Sequence, residues 1–440
     1  MRAPRVAGAV LLVAVALVAP GGAGAAGCAN VVARGHGWTT IRSPFAVPEV
    51  VVPPPTNARS FENSGYSVVE GQYLTDHAVD PDTPSRLVAT DGVTIVRSTD
   101  AGCTWTRVFS VGRPGGSGHD VAVDGRIMDF AVESTRLPAA RQRMYATVQP
   151  VNGATSFDVA TSADGGATWT RSPGPACADG LVAMAPSRPA TVYLNCYGSS
   201  TETFWVSADA AKTWTKRESK VFGNPWMKGG FAVSPLDPDE IWTSGMGYGP
   251  EQYKQYWTIL RTTDAGRSWQ YMLQTQDHRD FYGIGLQLVP AARGRGLSVV
   301  AWNHDAILLF EAPKRWRNLV VPTPSGQAGA IELVTFGERA SRLVVVAGYG
   351  VAGGHDIYPY GPTCTEHQRM LSYDLRARRW RFLTTPEVAH DASAMFSLRA
   401  AGPAYYARES GYRQGDCHTT SGQWTTGMRE SYVVKYTGPT

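Results

Sequence analysis

The sequence is short of charge, of helix-forming runs and of long apolar segments, and each shortage excludes something. Charged residues make up 18% of the 440, and the net charge is +4, spread without basic runs. A nucleic-acid binder carries a basic patch or stripe, so no nucleic-acid partner is expected. Long helix-forming runs are few, whereas glycine (47), proline (29) and tryptophan (13) abound. That balance favours an all-β chain rich in turns. Beyond the amino terminus nothing approaches the length that spans a bilayer, so no transmembrane segment is expected. Histidines number nine and never fall as His-x-His. Without such a short-spaced ligand set, neither a metal nor any other cofactor is expected.

The amino terminus holds the one strongly apolar run, Val6 to Val18, behind Arg2 and Arg5 and ahead of the small residues APGGAGAAG. That order is a secretory signal peptide over residues 1–25, with cleavage expected after Ala25 and about 415 residues left. A second reading makes Cys28 of AAGC a lipid-bearing cysteine, although Ala25 stands where a large aliphatic residue is usual. Parity favours soluble export. The six cysteines, Cys28, Cys103, Cys177, Cys196, Cys364 and Cys417, are an even set in an exported chain, and lipidating one leaves an odd thiol.

What the sequence does have is an octet used four times. RSTDAGCTWTRV (97–108) returns as TSADGGATWTRS (161–172), VSADAAKTWTKR (206–217) and RTTDAGRSWQYM (261–272). The fixed residues are Ser98, Asp100, Gly102 and Trp105; Ser162, Asp164, Gly166 and Trp169; Ser207, Asp209 and Trp214; and Thr262, Asp264, Gly266 and Trp269. The hydroxyl and the carboxylate can bond nearby backbone groups and hold a tight turn. The glycine fits a position of positive φ, and the third copy replaces it with Ala211. The tryptophan then packs on a neighbouring sheet.

These octets resemble Asp-box (BNR) repeats, found in sialidases, sortilin-type receptors, xyloglucan-cleaving endoglucanases and the photosystem II assembly-factor family. The resemblance implies a β-propeller with each box at the turn between the two outer strands of a blade, away from the ligand face. Flanking strand–proline–strand segments such as VAMAPSRPATVYLN and FAVSPLDPDEIWTS fit repeats of four strands. Trp316 and Trp380 mark two further, degenerate hairpins. Six hairpin tryptophans give six blades. The strands near the carboxyl terminus and a lone strand carrying Trp38, with none before it, give a seventh by closing the ring. Seven blades in one domain over 26–440 are expected, six being the fallback, with a proline-dense surface excursion about 43–64 and a monomeric state.

The opposite face is then built from long loops rich in aromatics and charge, a composition suited to a glycan or an extracellular protein; plugging the channel is the plainer alternative. Trp226, Tyr248, Tyr256, His278, Tyr282, His355, Tyr358, Tyr360 and Tyr412 are the expected binding residues. Blade placement suggests the pairs Cys364–Cys417, Cys177–Cys196 and Cys28–Cys103, among 15 that six cysteines allow. Six His–Asp neighbours, including Asp76-His77 and His355-Asp356, read either as a divalent-metal or acid–base cluster or as hydrogen bonds pinning strand ends.

Catalysis is tested on the resembling families' own motifs. Sialidase-like enzymes imply an arginine triad, a tyrosine nucleophile with a glutamate partner and an aspartate acid. Here Arg279, Arg408 and Arg413, with Tyr406 (or Tyr405 or Tyr412) and Glu409, are the candidates, but the usual R-I-P signature is missing. Paired carboxylates for an endoglucanase stand in no recognisable motif. The expectation is a secreted propeller that binds a glycan or protein partner, with a sialidase-like exo-glycosidase and an extracellular assembly or scaffold factor as alternatives.

Overall fold

Each octet folds into the same hydrogen-bonded turn. In the first, the Ser98 hydroxyl donates to Asp100 Oδ1 at 2.8 Å and accepts the Gly102 N–H at 2.8 Å. Asp100 in turn accepts the Thr104 N–H at 2.9 Å and the Thr104 hydroxyl at 2.6 Å. The second copy repeats all four bonds with Ser162, Asp164, Gly166 and Thr168. The third does so with Ser207, Asp209, Ala211 and Thr213, and the fourth with Thr262, Asp264, Gly266 and Ser268. Two successive left-handed residues make the bend, Ala101 and Gly102 at φ 61 and 92 in the first copy, Ala210 and Ala211 at 63 and 64 in the third. A turn that satisfies its own polar groups can sit at the rim of a sheet without other support.

The computed structural model describes residues 28–45, 76–80, 82–111, 125–133, 138–149, 156–176, 179–197, 203–217, 230–248, 255–276, 285–291, 296–303, 306–311, 315–322, 330–337, 341–348, 368–383, 392–401, 403–412 and 428–438. The chain opens with β1 (Val31–Gly35) and β2 (Trp38–Arg42). Six antiparallel sheets follow in sequence, each of four strands in chain order. Blade 1 is β3 (Asp76–Val79), β4 (Leu87–Thr90), β5 (Thr94–Ser98) and β6 (Thr106–Ser110). Blade 2 is β7 (Arg126–Val132), β8 (Met144–Gln149), β9 (Asp158–Ser162) and β10 (Thr170–Pro173). Blade 3 is β11 (Asp179–Met184), β12 (Val192–Tyr197), β13 (Thr203–Ser207) and β14 (Thr215–Arg217). Blade 4 is β15 (Phe231–Val233), β16 (Ile241–Tyr248), β17 (Gln255–Thr262) and β18 (Gln270–Gln276). Blade 5 is β19 (Gly285–Pro290), β20 (Leu297–Trp302), β21 (Ile307–Glu311) and β22 (Arg315–Leu319). Blade 6 is β23 (Ala330–Phe336), β24 (Arg342–Gly348), β25 (Gln368–Asp374) and β26 (Arg379–Phe382). Among the described residues the only helical element is one 3-10 turn, Ala139–Arg141.

The last three strands, β27 (Ala392–Ala401), β28 (Ala404–Tyr412) and β29 (Met428–Tyr436), do not form a sheet of their own. They pair with the amino terminus in the order β1-β2-β29-β28-β27. Trp38 lies opposite Tyr436 and Ile41 opposite Val433. This is a seven-bladed β-propeller, so the expected ring closure holds and the six-blade count does not. One expectation is corrected: a strand does precede the Trp38 strand. Gly35, His36 and Gly37 take φ of 80, 48 and 84, a bend that glycine permits cheaply, and β1 folds back on β2 as a fifth strand. The Cys28–Cys103 disulfide, Cα atoms 5.3 Å apart, then ties the start of blade 7's outer edge to the octet turn of blade 1.

Each hairpin tryptophan is a wedge against the preceding blade. Trp169 of blade 2 lies tilted against Phe109 of blade 1, ring centroids 4.6 Å apart, and Trp269 of blade 4 meets Phe204 of blade 3 edge-on at 5.4 Å. Trp316 of blade 5 lies 6.3 Å from Trp242 and donates its indole N–H to the Met272 carbonyl, both in blade 4. The octet glycines serve the same interface. A Cβ on Gly166 would stand 2.8 Å from Val108 Cβ of blade 1, and one on Gly266 2.6 Å from the Phe204 ring.

A second inter-blade device recurs three times. Tyr145 of β8 donates its hydroxyl to the Pro189 carbonyl in the next blade's β11–β12 turn at 2.8 Å. Tyr193 does the same to Pro238 at 2.8 Å, and Tyr406 to Pro84 at 3.2 Å, across the seam between blades 7 and 1. Burial raises the pKa of all three phenols, that of Tyr406 to about 12. Each ring fills the interface while its hydroxyl satisfies a carbonyl there.

Candidate functional site

The two faces of the ring differ in what builds them. On one face the octet turns sit against the turns joining first and second strands. Ala101 donates to the Ser85 carbonyl, Ala210 to Ala190 and Ala265 to Asp239, each at 2.8 to 2.9 Å. The connections between second and third strands, and those leading from blade to blade, therefore emerge on the other face. That is where a ligand site would be built.

Strand length singles out two blades there. Blade 3 has strands of 6, 6, 5 and 3 residues, whereas β27, β28 and β29 have 10, 9 and 9. Strands β16 and β17 have 8 each. The surplus lies at the loop end. Strand β2 pairs only as far as Tyr432 of β29, leaving Met428–Ser431 beyond it. Strand β15 pairs only Ile241 to Thr243 of β16, leaving Ser244–Tyr248 beyond it. Four or five strand residues rise about 13 to 17 Å. Blades 4 and 7 stand three places apart in a ring of seven, nearly opposite each other.

Three expected site residues occupy these extensions: Tyr412, opposite Ala392 and Met428 in blade 7, and Tyr248 and Tyr256 in blade 4. Arg408, opposite Phe396 and Val433, and Glu409, opposite Met395 and Tyr432, lie just below, where β2 still pairs with β29. Tyr248 pairs with Gln255 and Tyr256 with Gly247 and Gln276 at the matching end of blade 4, Tyr256 being half-buried. Tyr406 is elsewhere, 1% exposed in the seam between blades, as is the buried Tyr405. Arg279, Arg413, Trp226, His278, Tyr282, His355, Tyr358 and Tyr360 lie outside the described residues, as do Cys177, Cys364 and Cys417. Cys196 is disulfide-bonded.

Polar groups of the inner strands are spent on the fold. Asp129 of β7 accepts the N–H of its own neighbour Phe130 and that of Val182 in the next blade, both at 2.8 Å. Gln287 of β19 accepts the Phe336 N–H of blade 6 at 2.8 Å. His77 is 1% exposed within β3. Asp91, 3% exposed, accepts the Val93 and Thr94 N–H groups in the loop-face turn of blade 1. Burial lifts its pKa against those bonds. Among the described residues, no three His, Cys, Asp or Glu side chains stand together as metal ligands, and no helix is long and apolar enough to cross a membrane.

Two features escaped sequence reading. Two of the tyrosine–proline bonds link residues 44 and 45 positions apart and the third spans 322, and neither residue type stands out alone. Charge is also less evenly spread than its sum implies. Every outermost strand except β18 carries lysine or arginine, and none carries aspartate or glutamate. The signal was present as RARRWR at 376–381.

No family model and no curated protein matches the chain. Solved structures resemble it at low identity. YCF48 from Cyanidioschyzon merolae is 15% identical over 83% of this chain and 95% of its own, with a TM-score of 0.46. A virginiamycin B lyase from Staphylococcus aureus is 9% identical over 83% and 94%, TM-score 0.45. A GH74 enzyme from Niastella koreensis is 14% identical over 77% and 55%, TM-score 0.38. Likenesses of this grade carry no argument about activity, and the propeller is established by its own strand order.

Proposed function

We propose that the protein is an exported Asp-box propeller that binds a glycan or an extracellular protein across its loop face, between the extended ends of blades 4 and 7. The observation that carries this reading is the pair of strand extensions, which raise Tyr248, Tyr256 and Tyr412 above the ring, with Arg408 and Glu409 just below Tyr412 on β28. Sugars and polypeptides are both gripped by such a mixture. Export is supported by the Cys28–Cys103 disulfide, a bond that persists in oxidising compartments. It also occupies the sulfur that lipidation would need.

The alternative with a specific observation behind it is a sialidase-like exo-glycosidase, because Arg408, Glu409 and Tyr412 stand on one strand, β28, which runs out to the loop face. Tyr406 is committed to Pro84, so Tyr412 is the tyrosine left to attack a sugar. A scaffold role predicts a gathered apolar patch. The exposed large apolar residues Val32, Leu236, Tyr271, Val320 and Phe382 instead fall on outer strands and turns of four different blades.

A panel of fluorogenic glycosides, sialosides included, tests the choice on the purified exported chain, alongside a glycan and protein binding screen. Binding lost on Tyr412→Ala or Tyr256→Ala, with no turnover, is the expected result. Turnover abolished by Arg408→Ala and Glu409→Gln replaces binding with hydrolysis. Binding that ignores all four substitutions refutes the placement.

A further inference from the structure

We infer that the outer hairpin of blade 6 is a second binding surface, a docking strip for an acidic polysaccharide, on the rim at the octet end and separate from the loop face. Between Asp374 and Phe382 the hairpin carries Arg376, Arg378, Arg379 and Arg381, all exposed. Its single carboxylate, Asp374, lies opposite Arg379 across the hairpin. Among the described residues the other three guanidiniums have no acidic partner, whereas two arginines of other outer strands do: exposed Arg171 pairs with Asp158 at 2.6 Å and half-buried Arg317 with Glu311 at 2.6 Å.

The strip is held in shape before any ligand arrives. Asp374 Oδ1 accepts the N–H groups of Arg376 at 2.9 Å and Ala377 at 2.7 Å, and the Arg378 N–H reaches the Asp374 carbonyl at 2.8 Å. Those backbone bonds, the Ala377 bond foremost, hold the carboxyl below its usual range, with Arg342 and Arg379 assisting. Trp380 anchors the strand from behind, its ring 4.8 Å from Tyr373. Preorganised cations lose less freedom on binding than ones on a loose loop.

The chemistry favours a linear carboxylate- or sulfate-bearing sugar chain. Guanidinium forks match those anions two bonds at a time, which ammonium groups do not. A membrane-binding surface needs an apolar face beside its cations, and here one large apolar side chain is exposed, Phe382 at 51%. Unpaired nucleic acid calls for a row of stacking aromatics along the basic track, which the hairpin does not offer.

The test uses the full exported chain on columns of heparin and of polygalacturonate, with neutral dextran as the blank. Arg376→Gln/Arg378→Asn/Arg381→Gln removes three charges; Arg107→Gln/Lys212→Gln/Arg267→Gln removes three exposed charges from blades 1, 3 and 4. At about fivefold per arginine, the blade 6 triple variant should bind about 100-fold more weakly at physiological salt, and the control variant within about threefold of wild type. Unchanged circular dichroism and melting temperature show that neither variant fails by unfolding. Equal weakening of both variants reduces the effect to net charge and overturns the strip. Wild-type behaviour of the blade 6 variant overturns it too. So does blade 6-dependent capture of phosphatidylserine vesicles or single-stranded DNA at higher salt than either polysaccharide withstands. Loop-face variants such as Tyr412→Ala leave this binding intact, so the two sites fail or stand separately.

Discussion

Gly166→Ala offers the sharpest test of how the blades are fastened together. The glycine sits at φ +89, donates its N–H to Ser162, and lies against the outer strand of blade 1. A left-handed alanine costs about 1 to 2 kcal/mol, of which about 0.5 to 1 returns because glycine gives up more entropy on folding. Ala211 occupies the equivalent place in blade 3 at φ 64, so the backbone term is one this protein tolerates. The larger cost is steric: the new methyl would stand 2.8 Å from Val108 Cβ and 3.2 Å from both its γ carbons. Overpacking of that kind costs about 1 to 3 kcal/mol, for a total of about 2 to 4 kcal/mol. Urea unfolding followed by tryptophan fluorescence measures it. If the clash dominates, Val108→Ala in the same chain makes room, and the pair should be less destabilised than the sum of the singles by about 1 to 2 kcal/mol. A loss below about 1 kcal/mol, or strict additivity in the pair, would refute the claim that the octet glycine is an inter-blade contact.

Replacing Cys28 and Cys103 with serine should lower stability by about 4.5 kcal/mol, the loop-entropy value for a separation of 75 residues, read as a drop in urea midpoint. Tyr193→Phe should cost about 1 to 3 kcal/mol by leaving the Pro238 carbonyl without its phenol, and Tyr406→Phe likewise at the seam. Because burial raises the Tyr406 pKa to about 12, the stability its neutral hydroxyl provides is full below the ordinary value near 10. It is lost as pH rises through 12, so Tyr406→Phe should flatten the alkaline limb of a melting curve series. The octet carboxylates act at the other end of the scale. Hydrogen bonds from Thr168 and Thr213 hold Asp164 and Asp209 at about 2, so their contribution is complete above the ordinary carboxylate value and disappears as pH falls through 2. Exposure to solvent keeps each contribution small, and melting temperatures from pH 5 to 2 for Asp164→Asn/Asp209→Asn should fall less steeply than for wild type.

Local signals were legible from residues alone because their physics is local. The octet's serine, aspartate and glycine close their bonds within a few positions, and Trp105 to Trp380 mark the outer strand of each blade by a single large side chain. Even ring closure could be read, since Trp38 lacked a hairpin and the carboxyl-terminal strands lacked a tryptophan. Strand β1 was missed because the five residues VVARG carry neither the tryptophan nor the flanking prolines that mark the other strands. The tyrosine–proline bonds and the basic rim depend on which residues a neighbouring blade brings near, information that periodicity does not hold. Of the loop-face residues, Tyr248, Tyr256 and Tyr412 are placed on the extensions by strand register, with Arg408 and Glu409 just below, and they are legible as a group only once blades 4 and 7 are seen to face each other.

The closure of blade 7 also sets a timetable. Gly37 accepts bonds from Thr437, 400 residues later, and the Trp38 strand has only β1 beside it until Tyr436 has been made. A ring fastened this way cannot close on a partly synthesised or partly threaded chain. The last residues to appear are the ones that lock the first in place, after which the Cys28–Cys103 bridge can form between parts already held together. Under the export proposed above, that delay is a safeguard: the ring is available only when both of its closing strands have reached the same side.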